Sequence, residues 1–257
     1  MYEKELGFAK QVALKAGEVI AQNFFPSAPE KTWKSDNTPL TKTDTAINNM
    51  VLEQIVSTFP EHSFLGEEGS SSNLGQTEYV WVCDPIDGTI PYSHGWPCSV
   101  FSLALCKDGV PVVAVVNEPF FKRLYTAVKG EGCFLNDSQV HVTEETDWNR
   151  VYVGANIGPS SREKSNVLIY NLHAHGVRTV NLACVIYLGM LVASGQLAGV
   201  YFPYTNPWDA VTVKLLVEEA GGIVTDWEGK EQRYDRTTNG FIAGSTLLHE
   251  KLLSFTK

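Results

Sequence analysis

Four acidic sites, far apart in the chain, carry residue types suited to metal and phosphate chemistry. The densest is Asp84-Pro85-Ile86-Asp87-Gly88-Thr89. Two carboxylates three residues apart on a tight turn can converge on one point, and they repel each other unless a cation sits between them. Pro85 fixes its own φ and has no N–H, which leaves the Ile86 carbonyl free to turn inward as a third oxygen. Gly88 removes a side chain where a ligand must approach the backbone. The amides of Gly88 and Thr89 could cradle an anion if a short helix starts there, and the Thr89 hydroxyl could orient a water. The bland alternative is an Asp-Pro/Asp-Gly turn between two strands.

Glu67 and Glu68, flanked by Gly66 and Gly69, follow a short strand expected at residues 63–65. One of the pair could reach a metal while the other faces water. Asp44 and Asp209 each fall where a helix should begin, so each could be a simple cap; an acid there also points toward whatever lies beyond the helix end. His94 follows Thr89 closely enough to approach it, and Lys129 and Arg178 are candidate anion holders. His173 and His175 are two apart on an expected helix, which turns them to different faces and argues against a shared metal.

A strand must deliver the aspartate motif. Val80, Trp81, Val82 and Cys83 are four bulky or β-prone residues in a row, which suits a strand covered on both faces, and Pro85 should stop its ladder. Upstream, apolar residues at three- and four-residue spacing from Leu6 to Phe24 predict a long amphipathic helix over 3–25, ended by Pro26. Residues 27–40 read as a loop or loose hairpin, a second helix should start near Thr43 or Asp44, and residues 70–75 should form a flexible loop. Asp108-Gly109 is a hairpin signal between strands at 100–107 and 110–116, and a further strand is expected at 123–128. The first half should therefore be an antiparallel meander with two helices against one face. Beyond it, strands expected at 151–153, 177–180, 199–202, 223–226 and 241–243 alternate with helices at 163–175, 183–194, 210–220 and 247–255. That alternation predicts a layered α/β sandwich: one domain over 1–257, with subdomains of about 1–148 and 149–257.

Composition narrows the partners. Hydrophobic content of 44% and charged content of 19% are those of a globular protein. A formal net charge of −9 argues against a nucleic-acid polymer or an anionic membrane as main partner, but not against a small anion, since bound cations can reverse the local sign. Met1-Tyr2-Glu3-Lys4-Glu5 has no basic-then-apolar signal pattern and no run approaches a membrane span, so a cytoplasmic location is expected. Cys83, Cys98, Cys106, Cys133 and Cys184 are odd in number and lack CxxC spacing, as expected of reduced packing residues.

Lys42-Thr43-Asp44, Gly66-Glu67-Glu68, Asp84-Pro85-Ile86-Asp87-Gly88-Thr89 and Pro207-Trp208-Asp209, with Glu219-Ala220-Gly221-Gly222 following, together resemble the inositol monophosphatase-like phosphatases over nearly the whole chain. The resemblance implies an α-β-α-β-α layered sandwich of the inositol monophosphatase/fructose-1,6-bisphosphatase type. It also implies Mg²⁺-dependent hydrolysis of a small phosphate monoester, an inositol monophosphate or similar polyol phosphate, by direct attack of water. Carried onto this chain, Glu67, Asp84 and the Ile86 carbonyl would bind one Mg²⁺, and Asp84, Asp87 and Asp209 another. Asp44 and Thr89 would activate the water, with a third ion near Glu67; Gly88 and Thr89 would hold the phosphate, with Asp209 and Arg178 toward the substrate. A homodimer and lithium inhibition are further expectations of the same kind.

The rim departs from the inositol pattern. Asn181-Leu182 stand behind Arg178 where such enzymes usually have Gly-Ser or Gly-Thr, and Phe202 stands where an acid usually contacts sugar hydroxyls. Ile90-Pro91 replace the Lys-Glu pair of bisphosphate nucleotidases, which weakens that alternative; it and a histidinol-phosphate phosphatase stay open. Haloacid dehalogenase-type phosphatases space their aspartates by two, not three. A non-catalytic metal- or phosphate-binding relative would be expected to have lost one of Asp44, Glu67, Asp84, Asp87, Thr89 or Asp209, and all are present.

Overall fold

The computed structural model describes residues 1–24, 31–34, 39–75, 77–155 and 162–256. The expected stop at Pro26 and the middle of the 27–40 loop lie outside the described residues. Strand β5 (Tyr79–Asp87) runs through the centre. Its alternate residues face opposite cores: Trp81 and Cys83 pack with α1 (Glu3–Gln22) and α2 (Lys42–Thr58), while Val80 and Val82 pack with α5 (Val185–Ala193) and α6 (Pro207–Glu219). Burial on both faces is why the segment is apolar without alternation.

Around β5 forms an eight-stranded sheet in the order β10-β9-β8-β7-β6-β5-β3-β4. Strands β6 (Val100–Lys107), β7 (Val110–Glu118), β8 (Arg123–Val128), β9 (Gly132–Leu135) and β10 (Ser138–Gln139) follow β5 as the expected antiparallel meander. The sheet is nevertheless mixed, because β3 (Ser63–Gly66) pairs parallel to β5. Part of the expected loop at 70–75 becomes β4 (Ser71–Ser72), which pairs back onto β3. The described part of the 27–40 segment is a hairpin of β1 (Lys31–Trp33) and β2 (Pro39–Thr41).

The second sheet has the order β12-β11-β13-β15-β14. Strands β11 (Tyr152–Ala155), β12 (Arg178–Val180) and β13 (Gly199–Phe202) are parallel, and β14 (Gly222–Thr225) and β15 (Phe241–Ser245) are antiparallel additions. Helices α5 and α6 fill the space between the sheets, α1 and α2 cover the far face of the larger one, and α4 (Arg162–Ala174) and α7 (Thr246–Ser254) lie outside the smaller one. The order of layers is α-β-α-β-α. Among the described residues no helix is long and apolar enough to cross a membrane.

The middle layer is tightly apposed. A Cβ on Gly189 of α5 would collide with the methyls and Cβ of Val213 on α6. Gly189→Ala gains helix propensity but overpacks the seam, and the clash should win: a net loss of about 1–3 kcal/mol, read from urea unfolding midpoints, is expected.

Candidate active site

Strand β5 does not end at Pro85 as expected. Its pairing with β6 continues to Asp87, with a register shift between Asp84↔Ser102 and Asp87↔Val100. One extra residue on β5 makes a bulge, a place where the missing N–H of proline breaks no ladder bond. The bulge lets both aspartates, whose side chains are buried, reach one pocket. Gly88 then adopts φ +83° and caps the short helix α3 (Thr89–Ser93). A Cβ there would run into Cys184 Sγ and lie 3.1 Å from the Cys98 carbonyl oxygen, so both backbone and packing require glycine.

Two helix heads complete the pocket. The N-terminus of α5 grips Asp87: the amides of Val185 and Tyr187 donate to its two carboxylate oxygens at 2.9 Å each. At the head of α6, Asp209 lines the pocket and its Oδ2 accepts the Asn206 amide at 2.7 Å. Helix α2 begins one or two residues earlier than expected, at Lys42, with Thr41 as N-cap and Asp44 as its capping-box partner. Asp44 Oδ2 accepts the Thr41 amide (2.9 Å) and hydroxyl, while its Oδ1 accepts the Thr89 hydroxyl at 3.3 Å. Thr89 Oγ1 also lies 3.1 Å from the Ile86 carbonyl oxygen. Capping and a place beside the motif are thus combined in one residue.

Glu67, Asp84, Ile86, Asp87, Gly88, Thr89 and Asp209 line a single cavity of about 390 Å³. Burial, reinforced by the charges of Glu67, Asp87 and Asp209, pushes the Asp84 carboxyl well above its ordinary range. Burial and then Glu67 raise Asp209 to about 8. Burial lifts Asp87 to about 7 against the pull of the α5 amides. Asp44 rises to about 6 by burial, with the Thr41 hydrogen bonds opposing. Burial raises Glu68 to about 7, with its hydrogen bond from Lys34 opposing.

The donor set fits a hard divalent cation. Every candidate ligand atom is oxygen. Asp84 Oδ1 is buried with no hydrogen-bond partner, an acceptor that costs free energy unless a cation or donor meets it. Among the described residues no three acidic, His or Cys side chains stand ready-arranged as a metal site. Their hydrogen bonds explain why: Asp87 is held by α5, Asp209 by Asn206, and Glu67 Oε1 by Lys34 Nζ at 2.9 Å.

Other candidates lie elsewhere. The guanidinium of Arg178 donates to the Asn149 carbonyl (3.2 Å) and sits over the Tyr152 ring, away from the cavity, so the substrate role expected of it is corrected. Its place on edge strand β12 turns it to the flank of the second sheet. Lys129 sits in the turn after β8, and His94 Nδ1 lies 2.8 Å from the Ile90 carbonyl oxygen; neither lines the cavity. Phe202 and Leu182 are not rim residues either: Phe202 packs on Phe241 and Leu182 joins the central core. Conversely, Lys34, which pairs with both Glu67 and Glu68, was missed, as were the α5 amides and Tyr204. Backbone donors leave no mark in side-chain chemistry, and a lone lysine in a loop looks like any solvated charge.

The profile of the inositol monophosphatase family matches residues 1–256. Among curated proteins the chain is 31% identical over 262 residues to inositol monophosphatase 2 of Solanum lycopersicum, covering 98% of this chain and 97% of that one. It is 29% identical to Nus factor SuhB of Escherichia coli strain K12, covering 97% and 94%. Among solved structures, the Thermotoga maritima IMPase superposes with TM-score 0.89 at 25% identity, covering 98% and 96%. The chain belongs to the inositol monophosphatase family, a generally metal-dependent family, and is a phosphoric monoester hydrolase.

The buried acids set a pH dependence for metal-free protein. Asp87 and Asp209 have ordinary values of 3.8 when unfolded but about 7 and about 8 when folded. Across that window the folded state keeps protons that the unfolded chain has released, so the stability present below about pH 4 is lost as pH rises through the folded values. With EDTA present, Tm should fall between about pH 5 and pH 8.5, and Mg²⁺ should restore it chiefly at the upper end. A Tm that climbs over this range in EDTA would contradict the assignment.

Proposed function

We propose that this chain is a Mg²⁺-dependent phosphomonoesterase that hydrolyses a small phosphorylated alcohol by direct in-line attack of water. The observation that carries the proposal is the convergence of Glu67, Asp84, Asp87 and Asp209 on one cavity, with a buried Asp84 oxygen lacking a protein partner. Glu67, Asp84, Asp87, Asp209 and the Ile86 carbonyl are the groups that would hold two Mg²⁺, with a third beside Glu67. When bound, these ions neutralise the carboxylates, polarise the phosphoryl group and lower the pKa of bound water.

The chain's own residues then have distinct tasks. Asp44 is fully buried and communicates with the cavity through the Thr89 hydroxyl. A proton leaving the attacking water passes to Thr89 Oγ1 as the Thr89 proton moves to Asp44 Oδ1, and a carboxyl raised to about 6 accepts it more readily than an ordinary aspartate. Gly88 and Thr89, at the head of α3, form the wall against which the phosphate rests. Clamping of Asp87 by α5 keeps one acid in place while its neighbours exchange partners. We further propose one domain with subdomains of about 1–148 and 149–257, acting as a cytoplasmic homodimer sensitive to lithium.

Phosphate release from a panel of monoesters should require Mg²⁺, vanish with EDTA and return on adding Mg²⁺ back. In ¹⁸O-water the label should appear in the phosphate; label in the alcohol would exclude attack at phosphorus. Asp87→Asn removes a charge but little volume, so kcat/KM should drop by at least about 100-fold with the circular dichroism spectrum retained. Near-normal rates at saturating Mg²⁺ would remove Asp87 from the metal site.

A further inference from the structure

The mouth of the cavity differs in chemistry from its floor. Besides the acids, the cavity is lined by Pro39, Ile90, Val185 and Tyr204. Ile90 is 41% exposed and Tyr204 55% exposed, so two large apolar surfaces face solvent at the entrance to an acidic pocket. Some of the neighbouring polar groups are engaged within the protein: the Thr205 hydroxyl lies 3.3 Å from that of Thr238, and the Asn206 backbone amide donates to Asp209. Asn181 Oδ1 accepts the Ala183 amide at 3.0 Å. Phe202 lies in the core and Leu182, partly buried, packs against it; neither side chain offers a partner to a hydroxyl.

Charge at the mouth is equally informative. Among the described residues no Lys or Arg lines the cavity, and Lys34, which reaches Glu67, is already paired with two carboxylates. A second phosphate on the substrate would meet no counter-charge there. A volume of about 390 Å³ suits one small ligand with a phosphate at the floor and a ring at the mouth.

We infer that the alcohol of the substrate carries a flat, heteroaromatic or otherwise apolar ring that stacks on Tyr204 beside Ile90, and that it bears a single phosphate. This rests on the phosphatase proposal above, and it makes Tyr204 a specificity-determining residue. A polyol presents hydroxyls that need hydrogen-bonding partners, and a wall of Ile90, Val185 and Tyr204 leaves most of them unmet; a ring matches the quadrupole and area of the tyrosine face.

The test compares kcat/KM for histidinol phosphate and adenosine 3′-monophosphate with that for inositol 1-phosphate, glycerol 2-phosphate and adenosine 3′,5′-bisphosphate, all with Mg²⁺. At least one ring ester should exceed both polyol esters by about tenfold or more, and the bisphosphate should be no better than the monophosphate. Tyr204→Ala should shrink the ring-to-polyol ratio about tenfold, mainly through KM, while Tyr204→Phe keeps it, because the ring rather than the hydroxyl is used. Ile90→Ser provides a second, smaller loss of the same ratio should Tyr204→Ala misfold. Preference for inositol 1-phosphate, preference for the bisphosphate, or an unchanged ratio in Tyr204→Ala would overturn the inference while leaving the phosphatase proposal standing. If no ester is hydrolysed, the phosphatase proposal falls. Calorimetric titration with adenosine 3′-monophosphate then decides the stacking separately: binding lost in Tyr204→Ala supports it, and equal binding in both proteins refutes it.

Discussion

Mutual repulsion among buried carboxylates is the constraint around which this molecule is arranged. Glu67, Asp84, Asp87 and Asp209 come from the end of one strand, the bulge of another and the head of a helix, and the charges of Glu67, Asp87 and Asp209 all raise the proton affinity of Asp84. A folded chain tolerates that only by supplying positive character nearby. Helix α5 directs backbone amides at Asp87, α6 offers the Asn206 amide to Asp209, and Lys34 lies against Glu67. Asp84, deepest of the four, has an oxygen left without any such support. Polarity of this kind, unfavourable for stability alone, marks a functional site.

Much of the fold was legible because burial writes itself into periodicity. The three- and four-residue spacing of α1 and the unbroken apolar run of β5 lead to their observed places. The hairpin at Asp108-Gly109 follows from its turn residues, both of which have positive φ. What periodicity could not carry was partnership between strands. The parallel pairing of β3 with β5 joins strands that are not consecutive in the chain, since β4 lies between them, and it leaves no local signal. Pro85 was misjudged for a similar reason: proline is incompatible with a regular ladder, but the bulge that accommodates it is a property of two strands together.

In the site, side chains with unusual chemistry were visible and their supports were not. The six acids and hydroxyls singled out from the sequence do gather: Glu67, Asp84, Asp87, Thr89 and Asp209 at the cavity, with Asp44 behind Thr89. Arg178 was drawn in by its charge, yet it lies on an edge strand and stacks on Tyr152. The family resemblance put Phe202 at the rim, but β13 turns its ring toward Phe241. Counting along a chain locates a Cα; the strand's facing decides where the side chain goes.

The helices of the middle layer have a second role beyond filling space between sheets. Because α5 holds an aspartate of the first sheet by its backbone and α6 delivers another from the opposite side, the geometry of the pocket is tied to the closeness of that seam, down to the bare backbone of Gly189 against Val213. Loosening the joint anywhere along its length would spread the acids before it melted either sheet. Such an enzyme reports on its own integrity: hydrolytic competence should disappear while most secondary structure is still in place.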